Sequence, residues 1–190
     1  MSILRDKDGL TEEEFLRTYN ADKYPKPSVT ADICIIARDG EHDEMLLIRR
    51  GGHPFLGHWA LPGGFANRNE PLEMTAVREL KEETGITGVH LTLTGVYSKP
   101  GRDPRGWTVS AAYTAIVEKS AITVEAGDDA AEARWFQIDG EGEKALLKNE
   151  GIVLALTESE EATDRLAFDH TDIISDALCY LASKKNVPTN

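Results

Sequence analysis

One short carboxylate-rich segment bounded by glycines constrains this chain more than any other feature. Residues 64–86 read GFANRNEPLEMTAVRELKEETGI, and Glu79, Glu82 and Glu83 lie within five consecutive positions of that segment. On a helix of about 3.6 residues per turn, these three side chains share an arc of roughly 100°. Like charges so close together repel unless a cation lies among them, and Mg²⁺ and Mn²⁺ prefer hard carboxylate oxygens. The segment therefore predicts a helix that binds a divalent metal ion.

The spacing around these glutamates is equally specific. The residues fit G-x5-E-x7-R-E-U-x-E-E-x-G-U, where U is a bulky aliphatic residue; the fixed positions are Gly64, Glu70, Arg78, Glu79, Leu80, Glu82, Glu83, Gly85 and Ile86. An ordinary charged surface helix is the alternative, but it explains neither the glycines nor the unbroken spacing. The segment resembles the Nudix box of the Nudix hydrolases at every fixed position. That resemblance implies metal-dependent hydrolysis of a nucleoside diphosphate linked to another group.

Composition fits one globular domain. Of the 190 residues, 41% are hydrophobic and 28% are charged, which is typical of a folded chain with a sizeable core. No run of 18 apolar residues occurs and the start lacks the apolar stretch of a signal peptide, so we expect a cytoplasmic protein with no membrane span. We also expect its two cysteines, Cys34 and Cys179, to be buried free thiols.

The net charge of -12 disfavours nucleic-acid and anionic-membrane partners. It would also repel a phosphorylated substrate. Metal ions and a local group of arginines must therefore reverse the sign of the charge inside the site.

The pattern of apolar residues predicts an α/β (α+β) fold with a largely buried sheet. A capping box at Thr11 and Glu14 predicts a helix to about Thr18, and its Phe15 and Leu16 should dock on the body of the protein or on a partner subunit. Strands are predicted at residues 29–37, 44–50, 59–61, 89–97, 108–117 and 134–138, and helices at 71–85 and 171–183. Residues 143–157 predict a hairpin that turns at 149–151, with a helix to Leu147 as the alternative.

We divide the chain into an N-terminal helix and connector at residues 1–27 and a main domain at residues 28–190. The resemblance implies that the main domain is the Nudix α/β/α sandwich, with a central mixed sheet, the box helix and a C-terminal helix. It also implies a homodimer, in which the N-terminal helix could exchange between subunits.

The same resemblance assigns roles within the box. It implies that Glu79 and Glu83 are the main ligands of Mg²⁺ (or Mn²⁺) and that Glu82 is a third ligand or a base. The backbone carbonyl of Gly63 could complete the metal shell. Glu70 and Arg78 would orient the loop and the other carboxylates.

A second segment gives information about the substrate class. Residues 101–110 read GRDPRGWTVS, and this segment resembles a loop of the ADP-ribose pyrophosphatase group within the Nudix family. Residues 61–65 (LPGGF) and 166–170 (LAFDH) resemble that group as well. The resemblance implies cleavage of ADP-ribose to AMP and ribose 5-phosphate. An ordinary hairpin loop with solvated charges is the alternative for residues 101–110.

Candidate substrate-binding residues follow from this loop and from the strand at residues 44–50. Arg102 and Arg105, with Asp103 between them, could contact the diphosphate or the terminal ribose. Side chains alternate along a strand, so only one of Arg49 and Arg50 can face the site. The aromatic candidates for stacking the adenine are Phe55, Tyr97 and Trp107, with core packing as the alternative; Trp59 is predicted to lie in the core.

The catalytic base is harder to identify from the sequence. Asp128, Asp129 and Glu132 precede a predicted strand, and Glu132 is our first candidate, although a solvated acidic turn is equally compatible with this segment. Asp169 should cap the last helix, and His170 reads as a structural hydrogen-bonding residue more than as a ligand.

Two other functions are compatible with these motifs. One is hydrolysis of another nucleoside diphosphate derivative, such as a dinucleotide, a nucleotide sugar or an oxidised nucleotide. The other is a non-catalytic sensor of ADP-ribose-type ligands, since some regulators resembling this group join a Nudix-like domain to a C-terminal winged helix. About twenty residues follow His170, and the carboxylates are all present, so we expect an enzyme.

Overall fold

A computed structural model of the protein describes residues 4–38, 40, 42–124 and 130–185. The helices are α1 (Glu12–Thr18), α2 (Leu72–Thr84) and α3 (His170–Lys185). The strands are β1 (Ser28–Arg38), β2 (Asp43–Arg50), β3 (Trp59–Ala60), β4 (Gly63–Phe65), β5 (Thr92–Tyr97), β6 (Thr108–Glu118), β7 (Ala130–Asp139), β8 (Leu146–Asn149) and β9 (Ile152–Ala155). Short 3₁₀ turns occupy Lys119–Ala121 and Gly142–Lys144.

The strands form one mixed sheet in the order β5-β6-β1-β2-β7-β8-β9. The pair β1 and β6 is parallel over its whole length, and the neighbouring pairs are antiparallel. The edge of β1 opposite β6 is shared, because β4 pairs with its first half and β2 with its second. Ala31 lies opposite Gly64 and Asp32 opposite Gly63, so the start of the box is fixed to the central strand.

Helices cover both faces of this sheet, which confirms the predicted sandwich. Every second residue of β1 faces the same side of the sheet. Ile33 and Ile35 pack in one cluster with Ala76 and Leu80 of α2. The alternate residues pack in a second cluster with α3; its members include Cys34, Ile36, Met45, Leu47, Trp59, Ile173, Ile174, Ala177 and Leu181. Trp59 is fully buried, as predicted.

Local signals set the ends of the box helix. Pro71 occupies the N-cap with extended dihedral angles, and Gly85 ends the helix in the left-handed region with φ 73°. The N–H of Gly85 donates to the carbonyl of Lys81, which satisfies one of the free carbonyls at this end. The predicted range of 71–85 therefore differs from the observed helix only by its two capping residues.

The sequence does not predict β4 as a strand, and most of the other elements lie within two residues of their predicted ends, with two larger differences of extent. β5 begins at Thr92, three residues later than predicted, and β7 begins at Ala130, four residues earlier. The hairpin of β8 and β9 turns at Glu150 and Gly151, which both have positive φ, so the hairpin prediction is confirmed over the helical alternative. None of the described helices has the length and apolar character needed to cross a membrane.

The prediction of two buried cysteines is half wrong. Cys34 is fully buried in β1, but Cys179 is exposed on α3. The cause is helical geometry: Cys179 follows the buried Ala177 by two residues, which is about 200° around the helix. An apolar neighbourhood in the sequence therefore does not fix the face on which a helical residue lies.

Candidate active site

A cleft of about 780 Å³ opens where β4 and α2 meet the end of β2 and the loop before α3. Charged side chains of both signs line it: Asp32, Arg50, Arg78, Glu79, Glu83, Arg102, Asp103 and Arg105. The cleft therefore joins the acidic box to residues from distant parts of the chain.

Glu79 and Glu83 of the box face this cleft and pack against glycine backbone. The N–H of Gly63 donates a 2.7 Å hydrogen bond to a carboxylate oxygen of Glu83. A Cβ atom placed on Gly64 would lie 2.5 Å from the Glu79 carboxylate, well inside van der Waals contact. A side chain at position 64 would therefore displace the Glu79 carboxylate from its place against β4.

Arg78 is hydrogen-bonded to three of the four box carboxylates. Its Nε donates to Glu70 at 2.9 Å, its Nη1 to Glu79 at 2.6 Å and to Glu82 at 3.0 Å. Its Nη2 donates to the carbonyl of Phe65 at 3.1 Å, which ties the guanidinium to β4. Hydrogen bonds from Arg78, and then from the Asn67 N–H, lower the pKa of Glu70 to about 2. Arg78 is therefore hydrogen-bonded to Glu70, Glu79 and Glu82 at once, and orienting these carboxylates stays its predicted role.

Burial changes the acidity of the two carboxylates in the cleft. Burial raises the pKa of Glu83 to about 8, although the hydrogen bond from Gly63 acts in the opposite direction. Burial also raises the pKa of Glu79, against the effect of Arg78. Two carboxylates desolvated side by side form a location where a cation would be stabilised.

The donor set fits Mg²⁺ or Mn²⁺. Magnesium in proteins is commonly bound by one or two carboxylates and completes its shell with water and substrate phosphate. Glu79 and Glu83 supply such a pair. Among the described residues, no group of three or more His, Cys, Asp or Glu side chains is gathered as a ready-made ligand set. Gly63 lies beside Glu83 in the cleft lining.

Glu82 occupies a different environment. Its side chain is 57% exposed and it bonds to Arg78, but it is not among the residues that line the cleft. The three glutamates at positions 79, 82 and 83 therefore differ in environment. Glu79 and Glu83 face the cleft, and Glu82 faces solvent.

The two arginines at the end of β2 lie on opposite faces, as alternation requires. Arg50 lines the cleft, and its Nε donates to the carbonyl of Pro54 at 2.8 Å. Arg49 points the other way, where its Nε donates to the carbonyl of Gly57 at 3.0 Å. Burial lowers the pKa of Arg50, and the nearby charge of Arg105 lowers it further.

The loop at residues 101–106 places its charged side chains in the cleft, but each is paired. Arg102 is buried and donates to both carboxylate oxygens of Asp169, at 2.8 and 2.6 Å. Arg105 donates in the same forked manner to Asp103 through Nε and Nη2, and its side chain is 41% exposed. Asp169 is thus engaged by Arg102, a long-range partner that the predicted capping role did not include.

None of the three predicted stacking residues lines the cleft. Phe55 packs against the ring of Phe168 at 4.7 Å, and Tyr97 donates to Asp176 at 2.6 Å. Trp107 is 56% exposed. Two other aromatic residues, Phe65 and Phe168, line the cleft instead. Both lie in segments that resemble the family, LPGGF and LAFDH, which is the sequence signal that could have found them.

The candidate base residues lie away from the cleft or outside the described residues. Glu132 is on β7, where it is hydrogen-bonded to Arg134 and lies 3.9 Å from Arg49. Asp128 and Asp129 fall outside the described residues.

His170 and Asp32 form the buried floor of the cleft. The N–H of Leu61 donates to Nδ1 of His170 at 2.9 Å, so this histidine has the structural hydrogen bond expected of it. Asp32 accepts a hydrogen bond from Ser110 and lies 3.7 Å from Arg102. The sequence does not single out Asp32, because a lone acidic residue in an apolar strand carries no motif.

Comparison with known proteins supports what this geometry indicates. Residues 26–154 match the model of the NUDIX domain, which covers more than half of the chain. The chain belongs to the Nudix family. With the box complete and two of its carboxylates in a cleft, it is a Nudix pyrophosphohydrolase.

Relatives of this Nudix chain include an enzyme and a regulator. The chain is 39% identical to the ADP-ribose pyrophosphatase of Methanocaldococcus jannaschii over 153 residues, which is 80% of this chain and 74% of that one. It is 31% identical to the ADPR responsive transcriptional repressor NtrR of Acinetobacter baylyi over 176 residues, or 92% of this chain. That match spans only 62% of the repressor's length.

A solved structure similar to this Nudix chain contains a ligand. The NUDIX domain of Shewanella oneidensis NrtR, complexed with ADP ribose, aligns with a TM-score of 0.71 and 27% identity. The alignment covers 90% of this chain and 99% of that domain. The common fold is therefore shared almost end to end.

Proposed function

We propose that this Nudix domain hydrolyses ADP-ribose to AMP and ribose 5-phosphate with the help of Mg²⁺ or Mn²⁺. The observation that carries the proposal is the placement of Glu79 and Glu83 in the same cleft as Arg50 and Arg105. A diphosphate needs both the carboxylates and the arginines, because its metal ions require carboxylates and its oxygens require cationic donors. The similarity to an ADP-ribose pyrophosphatase and to a domain complexed with ADP ribose supports the choice of substrate.

In this proposal the chain's own residues bind, orient and brace. Glu79 and Glu83 hold the metal, which when bound neutralises phosphate charge and makes a water more acidic. Arg50 and Arg105 bind the diphosphate oxygens. Arg78, held by Glu70 and by the Phe65 carbonyl, keeps the Glu79 carboxylate in position.

A substrate panel tests the proposal. We expect kcat/KM with Mg²⁺ or Mn²⁺ to be highest for ADP-ribose among a set that includes a dinucleotide, a nucleotide sugar and an oxidised nucleotide. A higher kcat/KM for any of these other compounds would show that this compound, and not ADP-ribose, is the preferred substrate. The proposed metal-dependent chemistry would be unaffected.

A second candidate function is a sensor of ADP-ribose-type ligands. The similarity to a transcriptional repressor described as ADPR responsive favours it. The carboxylate pair in the cleft favours the enzyme. Tight binding of ADP-ribose with no release of AMP in either metal would decide for the sensor, whereas turnover decides for the enzyme.

We also propose a homodimer that uses α1. No residue of α1 is buried, and its Phe15 and Leu16 are exposed, so docking on the body of the same chain is not what the described residues show. In sedimentation, the wild type should have the mass of a dimer and Leu16→Glu the mass of a monomer. Equal masses of the two proteins would contradict this role of α1. A cytoplasmic location stays a prediction.

A further inference from the structure

Phe168 has a backbone conformation that bulky residues rarely adopt. Its φ is 53°, in the left-handed region, where a side chain meets the following carbonyl. Contacts on both sides impose this conformation. The N–H of Ala167 donates to the carbonyl of Trp59 at 2.8 Å, and the Leu61 N–H donates to His170 at 2.9 Å. Strain that the surroundings maintain in this way is concentrated at functional sites.

The conformation places the Phe168 ring next to two cations of the cleft. The guanidinium carbon of Arg50 lies 4.9 Å from the ring centroid, and that of Arg105 lies 5.5 Å from it. Both distances are within the range of an attractive cation–π contact. Phe55 supports the ring with an edge contact at 4.7 Å, so the ring itself is fixed. The Phe168 ring is thus in contact with both guanidiniums. Arg105 also lies 4.7 Å from the ring of Phe65 and is forked to Asp103.

Two like charges held beside one ring repel each other unless an anion joins them. The charge of Arg105 lowers the pKa of Arg50 in addition to the effect of burial, while the carboxylates of Glu83, Asp103 and Asp32 raise it. Within the described part of the chain, Arg50 has only its Nε engaged in a hydrogen bond, to Pro54. Arg105 uses Nε and Nη2 for Asp103. Each guanidinium therefore keeps N–H groups for a ligand in the cleft.

We infer that Phe168 is a positioning residue that sets the separation of the Arg50 and Arg105 guanidiniums so that together they bind two linked phosphoryl groups. The inference rests on the proposed function, since it assumes a diphosphate ligand, and adds to it the group that spaces the two donors. A ligand with one phosphoryl group can satisfy one arginine well, whereas a diphosphate can satisfy both. The selectivity for two linked phosphates should therefore depend on the ring.

Two substitutions of Phe168 separate the ring from the backbone. Phe168→Asn removes the ring but keeps a residue that tolerates the left-handed region, and Phe168→Tyr retains the ring. The probes are inorganic pyrophosphate and orthophosphate, titrated calorimetrically into the full chain in the presence of EDTA. We expect the wild type to prefer pyrophosphate, and Phe168→Asn to reduce that preference by about tenfold, a factor between those of an exposed and a desolvated cation–π contact. Phe168→Tyr should restore it to near the wild-type value.

A purely structural role would give a different result. In that case Phe168→Asn would weaken the binding of both anions equally, or Phe168→Tyr would fail to restore the preference, and either outcome overturns the inference. If Phe168→Asn proves unfolded by its melting curve, Phe55→Leu serves instead, because it removes the edge contact that fixes the ring. It should reduce the preference for pyrophosphate in the same direction, and an unchanged preference counts against the inference.

The experiment also distinguishes this inference from the proposed function. A wild type that prefers pyrophosphate but releases no AMP from ADP-ribose, with the preference lost in Phe168→Asn, contradicts the proposed substrate and supports the spacing role. A wild type that hydrolyses ADP-ribose while Phe168→Asn keeps the full pyrophosphate preference supports the substrate and contradicts the spacing role.

Discussion

The backbone N–H of Gly63 donates a 2.7 Å hydrogen bond to the carboxylate of Glu83, twenty residues further along the chain. This bond joins the start of β4 to the last turn of α2. Burial raises the pKa of Glu83 to about 8, with the Gly63 N–H opposing that rise. β4 and α2 therefore form one unit, in which the backbone of β4 holds the carboxylates of α2.

Gly64→Ala tests the close packing of β4 against the box helix. The new Cβ would lie 2.5 Å from the Glu79 carboxylate and would displace it. Because a shift of about 1 Å in an active site can cost a hundredfold in rate, we expect kcat for ADP-ribose to fall by about that factor. Steady-state kinetics measure this directly.

Gly52→Ala is the matched control, because Gly52 also lines the cleft but a Cβ there would meet nothing within 4 Å. We expect its kcat to stay near the wild-type value. Equal losses in the two alanine variants would show that the contact between Gly64 and Glu79 is not what matters.

Arg78→Lys tests the bracing of the carboxylates. A lysine ammonium cannot reproduce the planar fork that reaches Glu70, Glu79 and Glu82 together. Loss of a residue that orients metal ligands typically lowers metal affinity or activity by about 10 to 100 times, and we expect a loss of that size in both. Titration with Mn²⁺ and steady-state kinetics provide the two values.

The exposed Arg68 lies in the loop before the same helix and provides the control. Arg68→Lys should leave metal affinity and activity unchanged. Wild-type metal affinity in Arg78→Lys would refute the bracing role.

The pH dependence of stability should report on His170. Burial lowers the pKa of His170, and its Nδ1 must stay unprotonated to accept from the Leu61 N–H. A folded-state pKa below the unfolded value of about 6.5 means that the stability is fully present above pH 6.5 and is lost as the pH falls. Between pH 7 and pH 5, His170 should contribute a slope of up to about 1.4 kcal/mol per pH unit.

His170→Asn retains an acceptor and does not titrate, so it should lose less stability over this range. Urea unfolding of the metal-free protein at several pH values gives the comparison. Parallel curves for the wild type and His170→Asn would exclude a titrating role for this residue.

Much of the fold could be predicted because its signals are local. The box helix ends where Pro71 and Gly85 predict, since capping depends on a few neighbouring residues. Glu79 and Glu83 share a face because they are one turn apart. The buried character of β1 follows from the apolar run at residues 33–37, which is typical of a strand covered on both faces.

The partners of the site residues could not be predicted, because they depend on contacts between distant segments. Arg102 meets Asp169 across 67 positions, and His170 meets Leu61 across 109 positions. The same limit applies to Phe55, a predicted stacking residue that instead packs behind Phe168. A sequence motif identified the segments that form the cleft, but only the tertiary structure determines which of their side chains reach it.

The most direct test of the metal-bearing carboxylates is the release of AMP from ADP-ribose by Glu83→Gln. In Mg²⁺ we expect the wild type to release AMP and ribose 5-phosphate, and Glu83→Gln to show a kcat lower by about a thousandfold or more, with a melting temperature within a few degrees of the wild type. Glu73→Gln makes the same change at an exposed position in the first turn of α2 and should retain wild-type kcat. If Glu83→Gln released AMP as fast as the wild type, the assignment of this cleft as a metal-dependent active site would be contradicted.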